Sequence, residues 1–185
     1  MRKVLILFAT REGQTEKVAR RLAAELAGAD VHVRLLDAKE PPADIGNDLG
    51  NYDLLVFGAS MHAGGLEREI VELINRNRAR IEQSRRSFFL VLLSAATKQP
   101  ELREKWLADA RAKMDEQLEV GFPDCEMIAG ALAYSRYSAP VRWMMKRIAG
   151  KAGGDTDTSR DYEYTDWKQV ERYARRLLEA LPAAD

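Results

Sequence analysis

The stretch Val4-Leu5-Ile6-Leu7-Phe8-Ala9-Thr10-Arg11-Glu12-Gly13-Gln14-Thr15 constrains the fold more than any other part of the chain. Apolar residues run unbroken from Val4 to Ala9 into a short polar loop, and helical periodicity begins where the loop ends. A strand dispenses with polar alternation when both its faces are covered, as in the centre of a parallel sheet flanked by helices. The loop sets two threonine hydroxyls, a glycine and the free N–H groups of a helix N-terminus at the strand's carboxyl end. Orphan donors and the helix dipole both favour an anion there, and a phosphate suits them well. For the loop taken alone, the alternative is an ordinary strand-to-helix turn in which Thr15 caps the helix.

The remaining pattern repeats this unit. Val18, Leu22 and Leu26, with Ala19 and Ala23, form one helical stripe to about Ala27. Residues 31–35 alternate as a half-exposed edge strand does. Pro41, Pro42, Gly46 and Gly50 argue against a long helix between Ala38 and Asn51. Residues 53–57 read as a second buried strand, 87–93 as a central strand and 125–132 as a fifth. Helices are expected over 66–83, with Ile70, Leu73, Ile74 and Ile81 inward, over 101–118, and from Asp166, with Val170, Tyr173, Leu177 and Leu178 inward. Residues 134–165 are long for one connection and contain a short helix-like run, 141–148, and a glycine-rich stretch, 153–158, expected to be flexible. With no repeat and no linker, residues 1–185 are expected to form one α/β domain around a doubly wound, five-stranded parallel sheet. Ligands of such sheets sit beyond the strands' carboxyl ends, so the loops 10–15, 60–65 and 94–99 should converge on one site.

Composition narrows the function by exclusion. Lys plus Arg equals Asp plus Glu at 29 each, so no global field favours nucleic acid. No window has the apolar length of a transmembrane helix, and residues 10–12 interrupt any signal-peptide core. The one cysteine, Cys125, excludes a disulfide framework and a cysteine-based zinc site, and reads as a quiet structural thiol in a cytoplasmic protein. The first loop lacks the dinucleotide fingerprint G-x-G-x-x-G and the Gly-Lys-Ser/Thr of a P-loop. No acidic pair with a phosphorylatable Asp ends the first or third strand, which disfavours a phosphoacceptor receiver. His32 is expected to be solvated and His62 to bond backbone rather than act in catalysis. Trp106 and Trp167 are expected to be core anchors, and Asp155 and Asp157 lack the further ligands of an EF-hand.

The loop T-x-x-G-x-T, set in this strand and helix order, resembles the flavodoxin-like FMN-binding fold, which implies the sheet order 2-1-3-4-5. The resemblance assigns Thr10, Arg11, Glu12, Gly13, Gln14 and Thr15 to the FMN phosphate. It assigns Ser60, Met61, His62, Ala63 and Gly64, with Ser94, Ala95, Ala96, Thr97 and Lys98, to the flavin ring. The strings Ile128-Ala129-Gly130-Ala131-Leu132, Tyr134-Ser135-Arg136-Tyr137, Gly153-Gly154-Asp155-Thr156-Asp157-Thr158 and Tyr164-Thr165-Asp166-Trp167 are not those of generic flavodoxins. They resemble the flavodoxin-like, quinone-dependent protoporphyrinogen oxidases. Ser135 stands where that family's pattern has Pro, and the third loop lacks its usual Arg. The resemblance implies six-electron oxidation of protoporphyrinogen IX to protoporphyrin IX in two-electron steps through FMN. The electrons would pass to a respiratory quinone, placing the protein on the cytoplasmic face of the inner membrane.

Two features of the residues bear on that expectation. Neither flavin-facing loop contains Phe, Tyr or Trp, so the ring should lack the stacking aromatics of electron-carrier flavodoxins and leave a face open to a flat substrate. In the inserted segment, Val141, Met144, Met145 and Ile148 share one helical face, with Arg136, Tyr137, Arg142, Lys146 and Arg147 around them. Such a face suits an anionic membrane surface, and the arginines suit porphyrin propionates. The rival functions on the same fold are a one-electron carrier, which zero net charge disfavours, and an NAD(P)H-dependent quinone reductase.

Overall fold

A computed structural model describes residues 1–28, 30–62, 65–151 and 153–183. The first strand, β1 (Arg2–Ala9), runs into α1 (Gln14–Leu26), followed by β2 (Val31–Asp37). As the prolines and glycines dictate, only a single turn, α2 (Ile45–Asp48), and a 3-10 turn, Leu49–Asn51, precede β3 (Leu54–His62). Then come β4 (Gly65–Leu66), α3 (Arg68–Arg76), α4 (Arg78–Glu82), β5 (Arg86–Leu92) and α5 (Pro100–Gln117). The chain closes with β6 (Cys125–Ala129), β7 (Ala131–Leu132), α6 (Ala139–Lys151), β8 (Tyr162–Glu163) and α7 (Trp167–Ala180).

Five parallel strands lie in the order β2-β1-β3-β5-β6, which is the expected 2-1-3-4-5 winding, and β4 adds antiparallel to the end of β3. The unbroken apolar strands have two dry faces. Leu5, Leu7, Leu55, Phe57, Phe88 and Leu90 pack with Ile70, Leu73, Ile74 and Ile81 beneath α3 and α4. Their neighbours Val4, Ile6, Phe8, Val56, Phe89 and Val91 pack with Val18, Leu22 and Leu26 of α1 and Val170, Tyr173 and Leu177 of α7. Successive side chains of a strand point to opposite faces, so each strand serves both cores. His32 is exposed on β2, and burial pushes the half-buried Cys125 thiol up to about 11, as an inert structural thiol requires.

Three boundaries depart from expectation. The strand read as ending at Phe57 continues to His62, because Gly58 and Ala59 remain in register with β1 and β5, Ser60 with β5, and Met61 and His62 pair with β4. Gly58 is required there: a Cβ would lie 1.9 Å from Cζ of Phe89. The helix read over 66–83 breaks at Asn77, whose side-chain amide donates to the Leu73 carbonyl at 2.8 Å. The fifth strand leaves the sheet at Gly130, and β7 pairs instead with β8 in a separate two-stranded ribbon. Trp106 is half-exposed on α5, whereas Trp167 packs against the α1–α7 core.

Candidate functional site

A cleft of about 880 Å³ opens at the carboxyl ends of β1, β3 and β5. One wall is the loop after β1. Thr10 is buried at the strand end, and its Oγ1 accepts from the Gly13 N–H at 2.9 Å. Gly13 is the N-cap of α1 at φ +93°, a left-handed conformation that glycine adopts without strain and that lets the loop turn into the helix. As glycine has no side chain to cap the helix, the first turn meets no side-chain acceptor at its N-cap. Thr15 is 1% exposed, and its Oγ1 has no hydrogen-bond partner among the described residues. The helix-capping alternative for Thr15 is therefore not what the fold adopts. Two cations hold the loop's carbonyls: Lys39 Nζ donates to Thr10 O at 2.9 Å, and Arg136 donates to Glu12 O. Gln14 turns its side chain to Thr165 Oγ1 at 2.8 Å, which in turn donates to Ala129 O at 2.6 Å.

The second wall is the end of β3. Ser60, Met61 and His62 line the cleft, whereas Ala63 and Gly64 lie outside the described residues. His62 meets side chains rather than backbone. Its Nε2 lies 3.1 Å from Ser60 Oγ, 3.1 Å from Glu67 Oε1 and 3.7 Å from Glu12 Oε2. Glu67, only 6% exposed at the start of α3, is the hub of this group. Burial raises its pKa, but hydrogen bonds from His62 and Ser60 and the charge of Arg11, 3.4 Å away, outweigh that and bring it down to about 2. Sequence reading passed over Glu67; its one signal was a carboxylate beside a helix start, where the dipole welcomes it.

The third loop contributes less than expected. Leu93–Ala96 winds into a 3-10 turn in which Ser94 reaches the cleft, while Ala95 is buried and Ala96 packs against the core. Thr97 is buried with an unpartnered Oγ1, and Lys98 is exposed; Ala95, Ala96, Thr97 and Lys98 are not among the residues lining the cleft.

The inserted segment forms the remaining wall, with a division of labour the sequence did not disclose. Its apolar stripe, Val141, Met144, Met145 and Ile148, faces the cleft, together with Arg136 and Tyr137. Arg142, Lys146 and Arg147 do not line it: Arg142 donates to Tyr137 O at 3.1 Å, Arg147 stacks 5.0 Å from the Trp143 ring centroid, and Lys146 is exposed. The cleft also gains the aromatics its strand loops lack, because Tyr137 and Tyr162 line it. Burial first, then the Glu12 charge, raises the Tyr137 phenol's pKa and keeps it neutral. Ser135, the departure from the family's proline, donates from its N–H and Oγ to Asp161 at 2.8 and 2.6 Å; proline has neither donor. Among the described residues no acidic, His or Cys cluster could hold a metal, and no helix is long and apolar enough to cross a membrane.

This architecture is that of flavodoxins. An oxidised flavodoxin from Bacillus cereus superposes with a TM-score of 0.53 at 15% identity, covering 97% of this chain and 99% of that one. An archaeal flavodoxin superposes at 0.54 with 14% identity, covering 96% of each. Residues 5–159 match the family model described as Flavodoxin domain. Protoporphyrinogen IX dehydrogenase [quinone] of Escherichia coli strain K12 is 34% identical over 95% of this chain and 94% of its own. The protein of the same name from Leishmania major is 30% identical over 98% of this chain and 77% of its own. The chain therefore belongs to the flavodoxin-domain family, and within it to the branch of the quinone-linked protoporphyrinogen IX dehydrogenases.

The cofactor that comes with this domain is FMN. The residues fit its phosphate: a left-handed glycine opens an uncapped helix, and a buried hydroxyl beside it lacks a partner.

Proposed function

We propose that the protein oxidises protoporphyrinogen IX to protoporphyrin IX through FMN and passes the electrons to a respiratory quinone. The observation that carries this reading is the pairing of two unlike walls in one cleft: an anion-binding loop and a methionine-rich apolar face supplied by the inserted segment. The 34% identical relative, matched over nearly its whole length, supports the choice of reaction.

In this reading Thr10, Gly13 and Thr15 hold the phosphate with the first-turn N–H groups of α1, while Arg11 and Glu12 shape the loop. Ser60, Met61, His62 and Ser94 line the flavin. FMN supplies hydride acceptance and onward delivery of electrons when bound. The chain supplies placement. Val141, Met144, Met145 and Ile148 form an apolar wall, and methionine adapts to the surface of a flat macrocycle. Glu67, ionised throughout the working pH range, fixes His62 and Ser60 at the cleft's polar edge. Outside the cleft, Trp143 is 62% exposed, with Lys146 and Arg147 on the same helix. An aromatic side chain among cations suits an anionic bilayer surface, where quinone resides, and supports a peripheral position on the inner membrane.

Anaerobic stopped-flow bleaching of the bound flavin tests the proposal. Protoporphyrinogen IX should bleach it and quinone should restore it. Rapid bleaching by NADPH with no response to the porphyrinogen would refute the reading in favour of an NAD(P)H-dependent reductase.

A further inference from the structure

Four cationic side chains line the cleft, and their pairing differs. Arg11 meets Glu67 at 3.4 Å, Lys17 meets Glu163 at 2.9 Å, and Arg20 meets Glu16 at 2.7 Å. Arg136 has no carboxylate within ion-pairing distance among the described residues. Its guanidinium instead donates to the Glu12 carbonyl and rests on Gly13, where a Cβ would come 3.0 Å from Nη1. Hydrogen bonds from Ser135, helped by the Arg136 charge, hold the Asp161 carboxyl below the ordinary range, but Arg136 is in no direct ion pair among the described residues. It stands at the mouth of the loop beside Thr15 Oγ1, which is buried and unpartnered among the described residues.

The position is built. Arg136 closes the 3-10 turn Tyr134–Arg136, whose N–H donates to Ala133 O at 2.9 Å. The turn is pinned by Tyr134, fully buried with its hydroxyl on Asp155 O at 2.9 Å, and by the two Ser135 bonds to Asp161. Locked neighbours hold a functional side chain in place. A guanidinium with one N–H committed to a carbonyl keeps donors in a planar fork that suits phosphate oxygens. The loop carries Glu12 and the first turn of α1 carries Glu16, so a phosphate monoester of charge about −1.5 to −2 needs a counter-charge that hydroxyls and N–H groups do not provide.

We propose that Arg136 is a ligand of the FMN phosphate, supplied by the inserted segment rather than by the flavin-binding loops. The inserted segment thereby helps to select FMN over the unphosphorylated flavin. The proposal rests on the cleft being the FMN site.

The test is titration of flavin-free protein with FMN and with riboflavin, followed by quenching of flavin fluorescence at low and high salt. Wild type, Arg136→Ala and Arg136→Lys are compared. Loss of one charge-assisted contact should weaken FMN binding by about 10- to 100-fold in Arg136→Ala and flatten its salt dependence, with riboflavin binding unchanged. Arg136→Lys, which keeps the charge without the fork, should fall between. Equal weakening of both flavins would make Arg136 a latch on the Glu12 carbonyl, and undiminished FMN preference in Arg136→Ala would make it a bystander; either overturns the proposal. A wild type that binds FMN and riboflavin equally would overturn the phosphate reading of the loop itself.

Discussion

Thr15→Val should move two properties in opposite directions, and the structure sets both magnitudes. Thr15 is buried and its hydroxyl has no partner among the described residues. Such a group costs about 1–3 kcal/mol of desolvation that no hydrogen bond returns. Valine keeps the branched shape and has similar helix propensity, so the replacement removes the polar atom and little else. Flavin-free protein should gain about 1 kcal/mol or more, raising Tm by about 2–4 °C for a chain of this size. With FMN the sign reverses. A hydroxyl donating to a phosphate oxygen is worth about 1.5–3 kcal/mol, so the variant should bind FMN about 10- to 100-fold more weakly. It should then gain less stability than wild type at the same FMN concentration. Urea unfolding with and without FMN reads both effects, and Thr15→Ser, which keeps the hydroxyl, should retain FMN affinity. Lower stability of flavin-free Thr15→Val, or undiminished FMN affinity, would refute the assignment of this hydroxyl to the phosphate.

Acid unfolding should report on Glu67. Its carboxyl lies at about 2 against an ordinary 4.5, so its stabilisation is complete above the ordinary value and is lost as pH falls toward 2. Glu67→Gln should flatten the acid limb of stability against pH in that window, and an unchanged limb would contradict the hub role. Gly58→Ala drives a methyl into the Phe89 ring, fully buried in the sheet core, and should cost about 1–3 kcal/mol by overpacking; a thermal midpoint equal to wild type would show that the ring can move aside. Trp143→Ser should reduce sedimentation with anionic lipid vesicles while leaving Tm and FMN affinity unchanged, and equal sedimentation would count against a membrane role for α6.

The two-sided core was legible because buried parallel strands announce themselves by composition alone: Val4 to Phe8 and Phe88 to Val91 have no polar side to hide. Element ends were less legible wherever a distant partner decides them. Gly58-Ala59-Ser60 looked like the start of a loop, yet pairing of Gly58 and Ala59 with both flanking strands and of Ser60 with β5 keeps it extended, and the glycine answers to a phenylalanine 31 positions away. Ala131-Leu132 read as the tail of the fifth strand, but its pairing partner is Tyr162-Glu163, which periodicity within one segment does not reveal. Asn77 broke a helix whose apolar spacing continued across it through Ile74 and Ile81.

At the site, residues on the loops were identifiable by type and position, while their connections were not. Periodicity grouped Val141, Met144, Met145 and Ile148 on one face but left open what that face meets; the answer is the cleft, with Trp143 on the outside. The decisive contacts span most of the chain. Arg136 reaches Glu12, Lys17 pairs with Glu163 at 2.9 Å, and Gln14 bonds Thr165, which holds Ala129 at the end of β6. These ties join the first loop and the start of α1 to both ends of the inserted segment. The wall that would receive the cofactor and the wall that would receive the substrate are therefore bound to one another, and a shift of either would strain contacts to the other. That gives a physical reason for an insertion of this length to sit between β6 and α7: from there it closes over the first loop and lays an apolar helix along the opening. On the proposed reading the first loop would fix the phosphate's place, and the contacts of Arg136, Lys17 and Gln14 would extend that placement to the helix that faces it.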